Sequence, residues 1–225
     1  FFTSTQHTRV LRLVESGLLV AIGILLDTFF KFQAPWAYGG SITLFAMLPL
    51  VIIAYKYGIL WGSLAGLAHG LITMLISNGG SPGLAAMVQE NGPAVFVGIL
   101  LLDYVLAFMA VGLAGLAPRW TKNPSSALAL GAVIGLAGRF LCHFLSGFLL
   151  FGSYADWFFG QMSWGQWFLD SFHGTTLSAI YSLVYNGLYM IPEIIITAVG
   201  GVIAGRLLAT QLQKNRQNIP ARQES

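Results

Sequence analysis

The chain has 225 residues, of which 56% are hydrophobic and only 8% are charged, and its formal net charge is +3. The surface of a water-soluble domain needs more charged side chains than this. The composition therefore excludes a soluble globular protein and indicates an integral membrane protein. The residue alternation of an outer-membrane barrel is absent, and at about 20 residues per span the length allows about six transmembrane helices. We therefore expect an all-α integral membrane protein.

The apolar runs predict six helices, at residues 9–30, 41–57, 58–77, 93–116, 126–152 and 176–208. Lysines and arginines concentrate on one side of this arrangement, at Arg9, Arg12, Lys56, Arg119, Lys122, Arg206, Lys214, Arg216 and Arg222, whereas Lys31 alone lies in the loops of the other side. The positive-inside rule then places the N- and C-termini in the cytoplasm. We divide the chain into a membrane domain, residues 1–208, and a polar basic cytoplasmic tail, residues 209–225.

Small residues recur four positions apart on three of the predicted helices. Gly17 and Ala21 form such a pair on the first helix, residues 58–70 of the third helix carry four glycines, and Gly201 and Gly205 lie on the sixth. In lipid, ridges of small residues let helices pack closely, within the bundle or against another subunit. We predict internal packing for the third helix and a partner for the first. His69, among the glycines, is expected to bond to a neighbouring backbone carbonyl.

The fifth predicted helix carries Arg139 and His143 in a run that is otherwise apolar. A separation of four residues puts both side chains on one face of a helix. An ionised side chain at mid-membrane costs roughly 2.5–3.5 kcal/mol on insertion scales, so such groups normally face a bundle interior or a wet cavity. The pair is therefore a candidate functional site.

Polar residues of three helices converge at one depth. Counting 1.5 Å of rise per residue from the outer helix ends places Asp103, His143 and Asn186 roughly 15 Å below the outer surface. Aromatic side chains flank them, and rings hold flat, partly cationic ligands by stacking and cation–π attraction. We predict an outward-open pocket for a small aromatic solute, in which Arg139 holds the Asp103 carboxylate. The alternative is that Asp103 and Arg139 form a structural ion pair. We interpret Asp27, which can pair with Lys31, as structural.

The connection at residues 155–175 is rich in aromatic residues. Tryptophan and tyrosine belts are typical of a membrane interface, so we predict interfacial anchoring there, with a ligand lid as the alternative.

Three segments together resemble the thiamine-specific S-component of energy-coupling-factor (ECF) transporters. They are LLDYVLAFMAVGLAGL (residues 101–116), GRFLCHFLSGFLLFGSYA (138–155) and YSLVYNGLYMIPE (181–193), and they occur in the family's order. The resemblance implies a six-helix, multi-pass subunit of the bacterial plasma membrane that captures thiamine outside the cell. It also implies docking on a transmembrane coupling subunit that carries two ATPases.

Carried over residue by residue, the resemblance assigns the substrate-binding role to Asp103, Tyr104, Arg139, His143, Phe151, Tyr181, Ser182, Asn186 and Trp36. It places partner docking at Gly17 and Ala21 on the first helix. Phe151 stands where a stacking tryptophan is expected, so another tryptophan, at position 157, 164 or 167, could supply that ring.

The chain has no Gly-x-x-x-x-Gly-Lys-Ser/Thr phosphate loop, so we expect ATP hydrolysis in partner chains. No catalytic residue, metal, cofactor or nucleic-acid partner is predicted. Three alternatives stay open: an S-component for another vitamin or precursor, a self-standing secondary carrier, and an intramembrane enzyme. In the last, His143, Asp103 and Arg139 would do acid–base work on a lipid, although neither paired metal-ligand carboxylates nor a serine elbow accompanies them.

Overall fold

The computed structural model describes residues 4–33, 40–77 and 80–217. This part of the chain is almost entirely helical. Its helices are α1 (Ser4–Phe29), α2 (Leu48–Tyr57), α3 (Ile59–Ser77), α4 (Gly80–Asn91), α5 (Pro93–Arg119), α6 (Pro124–Leu150), α7 (Ala155–Gly160), α8 (Gln166–Ser171) and α9 (Gly174–Gln217). A short antiparallel hairpin joins β1 (Lys31–Gln33) to β2 (Ser41–Thr43). Trp36, one of the predicted binding residues, lies outside the described residues.

Four of these helices are long and apolar enough to cross a membrane: α3, α5, α6 and the part of α9 that ends at Thr210. They coincide with the third to sixth predicted helices, and α1 coincides with the first. A helical protein that crosses the membrane several times is thus confirmed. Helix α9 extends to Gln217, so the predicted boundary at residue 208 falls inside a continuous helix.

The prediction of a helix at residues 41–57 is wrong for its first seven residues. Residues 41–43 form β2, which pairs with β1, and α2 begins only at Leu48. At 1.5 Å per residue its ten residues span about 15 Å, half of a bilayer core of about 30 Å. Ala46 and Met47, just before the helix, are fully buried in the core. Burial within protein is what permits non-helical backbone at membrane depth.

Helix α5 changes its hydrogen-bonding pattern along its length. An α-helical start, Pro93–Ile99, is followed by a π-helical segment, Leu100–Leu106, and after one further α-helical turn the helix ends as a 3₁₀ helix, Val111–Arg119. The wider π turn carries Asp103 and Tyr104. Segments of π-helix in longer helices are frequently found at functional sites.

Two connections between the predicted helices, residues 78–92 and 155–175, contain helices that the sequence did not predict. Helix α4 occupies most of residues 78–92, and α7 and α8 lie within residues 155–175. In the second connection Phe158 and Phe159 are fully buried, in a cluster with Leu177 and Tyr181 of α9. This aromatic segment therefore packs on the helix bundle through its phenylalanines, while its tryptophans are exposed.

The glycines of α3 pack inside the bundle, as predicted. A Cβ atom at Gly66 would lie 2.1 Å from the Phe108 carbonyl oxygen, and one at Gly70 would lie 2.3 Å from that of Tyr104. Such distances leave no room for a side chain, so glycine is what allows α3 to contact α5 this closely.

The most extensive helix contact joins α6 and α9, and it also depends on glycine. A Cβ atom at Gly201 would lie 2.9 Å from the Leu128 backbone, and one at Gly205 would lie 2.3 Å from Ser125 Cα. On α1, by contrast, Gly17 and Ala21 are exposed, and no atom lies within 4 Å of a Cβ built at Gly17. These two α1 residues are therefore on the surface of the isolated chain.

Candidate functional site

Helix α6 supplies the centre of the site, and its start is set by a local sequence signal. The Asn123 side chain accepts hydrogen bonds from the backbone N–H groups of Ser125 (2.9 Å) and Ser126 (3.2 Å), and Pro124 occupies the first helical position. Asparagine before the helix and proline at its first residue are favoured because they satisfy or remove the free N–H groups there. The helix then continues without interruption to Leu150.

Asp103 of α5 meets two side chains of α6. Its Oδ1 lies 2.8 Å from His143 Nδ1, and its Oδ2 accepts a hydrogen bond from Ser146 Oγ at 2.6 Å. His143 Nε2 is buried and has no hydrogen-bond partner among the described residues. The two contacts of Asp103 hold its carboxylate and the His143 ring in a fixed orientation.

Helix α9 contributes a polar network that ties it to α6. Ser182 Oγ donates to the Phe144 carbonyl at 2.6 Å, and Asn186 Nδ2 donates to the carbonyls of Ser182 (2.8 Å) and His143 (3.2 Å). The Tyr189 hydroxyl donates to Asn186 Oδ1 at 2.5 Å. Buried polar groups need such partners in a low-dielectric interior, and here they fix the α6 backbone at His143 and Phe144.

These elements enclose a cavity of about 420 Å³, called the outer cavity below. This volume lies within the range of roughly 300–1,000 Å³ that is usual for small-molecule sites. Its lining combines the Asp103–His143 pair with many aromatic rings. The lining residues are Ile99, Asp103, Tyr104, His143, Ser146, Gly147, Phe151, Tyr154, Trp157, Tyr181, Tyr185, Asn186 and Tyr189.

The structure brings most of the predicted binding residues to the outer cavity: Asp103, Tyr104, His143, Phe151, Tyr181 and Asn186. Ser182 is fully buried beside them and does not line the cavity. The resemblance did not select Tyr185 and Tyr189, although they follow Tyr181 in two steps of four residues, which places all three on one face of α9. That spacing is a signal in the sequence that could have found them.

A second, more polar cavity of about 190 Å³ adjoins the first, and we call it the inner cavity. The two cavities share five lining residues, Asp103, Tyr104, His143, Tyr185 and Tyr189. The inner cavity is also lined by Asp27, Lys31, Gly40, Ser41, Thr43, Thr73, Ser77, Phe108, Arg139 and Glu193. It therefore connects the outer cavity to the hairpin and to α1 and α3.

Arg139 belongs to the inner cavity, and the expected Arg139–Asp103 contact is wrong. Arg139 Nη1 donates to Glu193 Oε1 of α9 at 3.2 Å, and its guanidinium lies over the Phe108 ring, 4.7 Å from the centroid. Glu193 is 1% exposed, so burial makes an opposite charge beside it necessary, while Asp103 already has His143 and Ser146 as partners. The structural Asp103–Arg139 ion pair is excluded for the same reason.

The hairpin is attached to α9 at two points. Thr43 of β2 donates to the same Glu193 oxygen at 2.6 Å, and Gly40 lies so close to the Tyr189 ring that a Cβ there would be 2.3 Å from it. Since Tyr189 also lines the outer cavity, the hairpin backbone presses on a wall of the site.

The expectation that His69 bonds to a carbonyl is wrong. His69 is fully buried, and within the described part of the chain neither of its ring nitrogens has a hydrogen-bond partner. Its ring stacks on Phe108 with centroids 5.2 Å apart, and its Nε2 lies 3.9 Å from Asp27 Oδ2, beyond hydrogen-bond distance. Asp27 thus faces His69 and, like Lys31, lines the inner cavity.

Within residues 4–33, 40–77 and 80–217, no cluster of three or more His, Cys, Asp or Glu side chains could hold a metal ion. Four ionisable side chains that line the two cavities instead form the pairs Asp103–His143 and Arg139–Glu193.

Comparison with known proteins agrees with this arrangement. Residues 13–214 match the model of the thiamine transporter protein family (Thia_YuaJ). The chain belongs to this family. It is 30% identical over 203 residues to the thiamine transporter ThiT of Bacillus subtilis, covering 86% of this chain and 90% of that one. It is 25% identical over 219 residues to ThiT of Lacticaseibacillus paracasei, covering 92% of each.

Solved structures share the fold. ThiT from Listeria monocytogenes superposes with a TM-score of 0.61 at 22% identity, over 92% of this chain and 97% of that one. The S component of a bacterial ECF transporter superposes with a TM-score of 0.52 at 20% identity, over 91% and 98%. The family consists of transporters, so the intramembrane enzyme considered from the sequence is not supported, and this member is a multi-pass protein of the bacterial plasma membrane.

Proposed function

We propose that this thiamine transporter is an S-component that binds thiamine with high affinity in the outer cavity, without nucleotide. The observation that carries the proposal is that the Asp103–His143 pair and many aromatic rings line one cavity of about 420 Å³. Thiamine offers an aminopyrimidine whose amino group can donate to an acceptor such as the Asp103 carboxylate. Its two flat rings suit the tyrosine and phenylalanine faces.

The charge of the lining also suits thiamine. Among the described residues that line the two cavities, the acidic side chains are Asp27, Asp103 and Glu193, and the basic ones are Lys31 and Arg139. Counted without His143, these ionised side chains leave one excess negative charge. The thiazolium ring of thiamine carries one positive charge, so its binding would neutralise the site.

In this proposal Asp103 orients His143, while Tyr104, Phe151 and Tyr181 supply ring contacts. Asn186 and Ser182 hold α6 and α9 in register around the site. Arg139 acts through Glu193 in the inner cavity. Trp36, which the resemblance also assigns to the site, lies outside the described residues.

We further propose that six membrane crossings place both termini in the cytoplasm and open the outer cavity to the outside. Helix α1 would be one crossing, and the buried segment of β2 and α2 would be another. The distribution of basic residues supports this orientation. Residues 209–217 would then leave the membrane as the polar cytoplasmic end of α9.

We also propose that transport energy comes from a partner complex of a coupling subunit and two ATPases, with no cofactor bound by this chain. The exposed Gly17 and Ala21 on α1 offer a close-contact surface for the coupling subunit.

Isothermal titration calorimetry of the purified chain in detergent, without ATP, tests the binding claim. Thiamine should give saturable heat and raise the melting temperature, because a ligand that binds only the folded state stabilises it. Riboflavin serves as a comparison vitamin. Heat from riboflavin but not from thiamine would overturn the assigned specificity and leave the family fold intact.

A further inference from the structure

Three tryptophans of the aromatic segment have different surroundings. Trp164 packs edge-on against Phe159 and Phe168, with centroids 6.2 and 5.7 Å apart, and Trp167 packs against Phe168 at 4.8 Å. Trp157 lines the outer cavity and is 53% exposed. No aromatic ring of the described residues stacks on it. Of the three indoles, this one has free surface at the cavity.

The backbone that carries Trp157 is nevertheless firmly packed. Its neighbour Phe158 is fully buried and meets Tyr181 and Tyr185 edge-on, with centroids 5.3 and 5.6 Å away. Phe159 stacks on Phe168 at 4.7 Å, which anchors the other side of α7. Since Tyr181 and Tyr185 also line the outer cavity, α7 is attached to the wall of the site, and the indole is held there without blocking it.

The face of the Trp157 indole that is free at the outer cavity is suited to a flat cation. An indole has the strongest attraction for cations among the aromatic side chains, and stacking adds to it. Asp103 and His143 line the same cavity, so polar groups and a free aromatic face are available to one ligand.

We propose that Trp157 is a specificity-determining residue, whose indole stacks on a ring of the bound ligand beside Phe151. This inference rests on the proposed function, since it assumes that the ligand is a flat, cationic heteroaromatic compound such as thiamine. The inference gives α7 a role in ligand recognition. Trp157 is not needed to anchor this helix, because Phe158 and Phe159 already do so.

Three leucine variants separate this role from packing: Trp157→Leu, Trp164→Leu and Trp167→Leu. Calorimetry with thiamine should show roughly tenfold or greater weakening for the first variant, since an aromatic contact with a cation is lost. The other two should bind like the wild type, because their indoles contact protein rings away from the cavity. Melting temperatures measured without ligand check that each variant is folded.

A fourth variant, Trp157→Phe, keeps an aromatic face and should lose less affinity than Trp157→Leu. Thiamine should quench the intrinsic fluorescence of the wild type, and the quenching should shrink in Trp157→Phe because the stacked indole is gone. Wild-type affinity in Trp157→Leu, or unchanged quenching in Trp157→Phe, would overturn the inference while the proposed function stands. A wild-type protein that does not bind thiamine would overturn the proposed function first.

Discussion

Helices α1 and α9 carry small residues at the same spacing, in opposite surroundings. On α9, Gly201 and Gly205 press against the backbone of α6, with no room for a methyl group. On α1, Gly17 and Ala21 face outward, and the space around Gly17 is empty. A four-residue spacing of small residues therefore indicates a close helix contact but does not identify the partner. Burial shows which of the two ridges is already packed within this chain.

The comparison separates two parts of the molecule. The α6–α9 contact holds the outer cavity, since His143 lies on α6 and Asn186 and Tyr189 lie on α9. Helix α1 touches the cavities only near its end, through Asp27. Binding and docking should therefore be separable by mutation. Substitutions on α1 should remove uptake and leave thiamine binding intact.

The largest effect is expected from Gly17→Trp or Ala21→Trp, each of which should abolish ATP-dependent thiamine uptake. A bulky indole would hold the coupling subunit away from the α1 surface, while the outer cavity, formed by α5, α6 and α9 with α7 beside them, should bind thiamine normally. Uptake is measured after reconstitution with the coupling subunit and ATPases, and binding is measured on the free chain.

Leu60→Trp is the control for these variants, because Leu60 is exposed on α3 and its replacement adds the same bulk elsewhere. It should transport normally. If the α1 variants also lost thiamine binding, the ridge would serve internal packing. If they transported normally, the partner would dock elsewhere; the Gly201–Gly205 ridge is not available, since α6 covers it.

A smaller effect, confined to binding, is expected from Asp103→Asn and His143→Ala. Each should weaken thiamine binding more than tenfold, about 1.4 kcal/mol or more, because each breaks a buried charge-assisted contact at the cavity. Asp170→Asn, an exposed carboxylate bonded to Gln166 of α8, is the matched control and should bind like the wild type. Normal affinity in folded, monodisperse Asp103→Asn and His143→Ala proteins would move the site away from this pair.

Much of this arrangement could be predicted because apolar length and charge are local properties. The long helices follow from their hydropathy, and helical rise alone predicts that Asp103, His143 and Asn186 lie at one level, which agrees with their lining one cavity. The second helix could not be predicted in full, because residues 41–47 are as apolar as a membrane span. Only tertiary burial and pairing with β1 make residues 41–43 a strand.

The partner of Arg139 could not be predicted either. Depth placed Arg139 and Asp103 at similar levels, but the direction of each side chain depends on how the helices are rotated. The π-helical segment around Asp103 changes the register of α5, and no sequence feature of residues 100–106 predicts this segment. Asp103 therefore meets His143, and Arg139 reaches Glu193, which lies 54 residues away along the chain.

The smallest effect is expected from a test of the α9 ridge, which compares Gly205→Ala with Gly187→Ala. An added Cβ at Gly205 would lie 2.3 Å from Ser125 Cα, whereas at Gly187 it would meet only Ile191 Cδ1, at an ordinary 3.7 Å. Overpacking costs typically 1–3 kcal/mol, and alanine gains roughly 0.5–1 kcal/mol over glycine inside a helix. Gly205→Ala should therefore lose about 1 kcal/mol of stability and melt at a lower temperature, while Gly187→Ala should melt at or above the wild-type temperature. Equal melting temperatures for the two variants would mean that α6 and α9 are not held together at Gly205, and the contrast with α1 would fail.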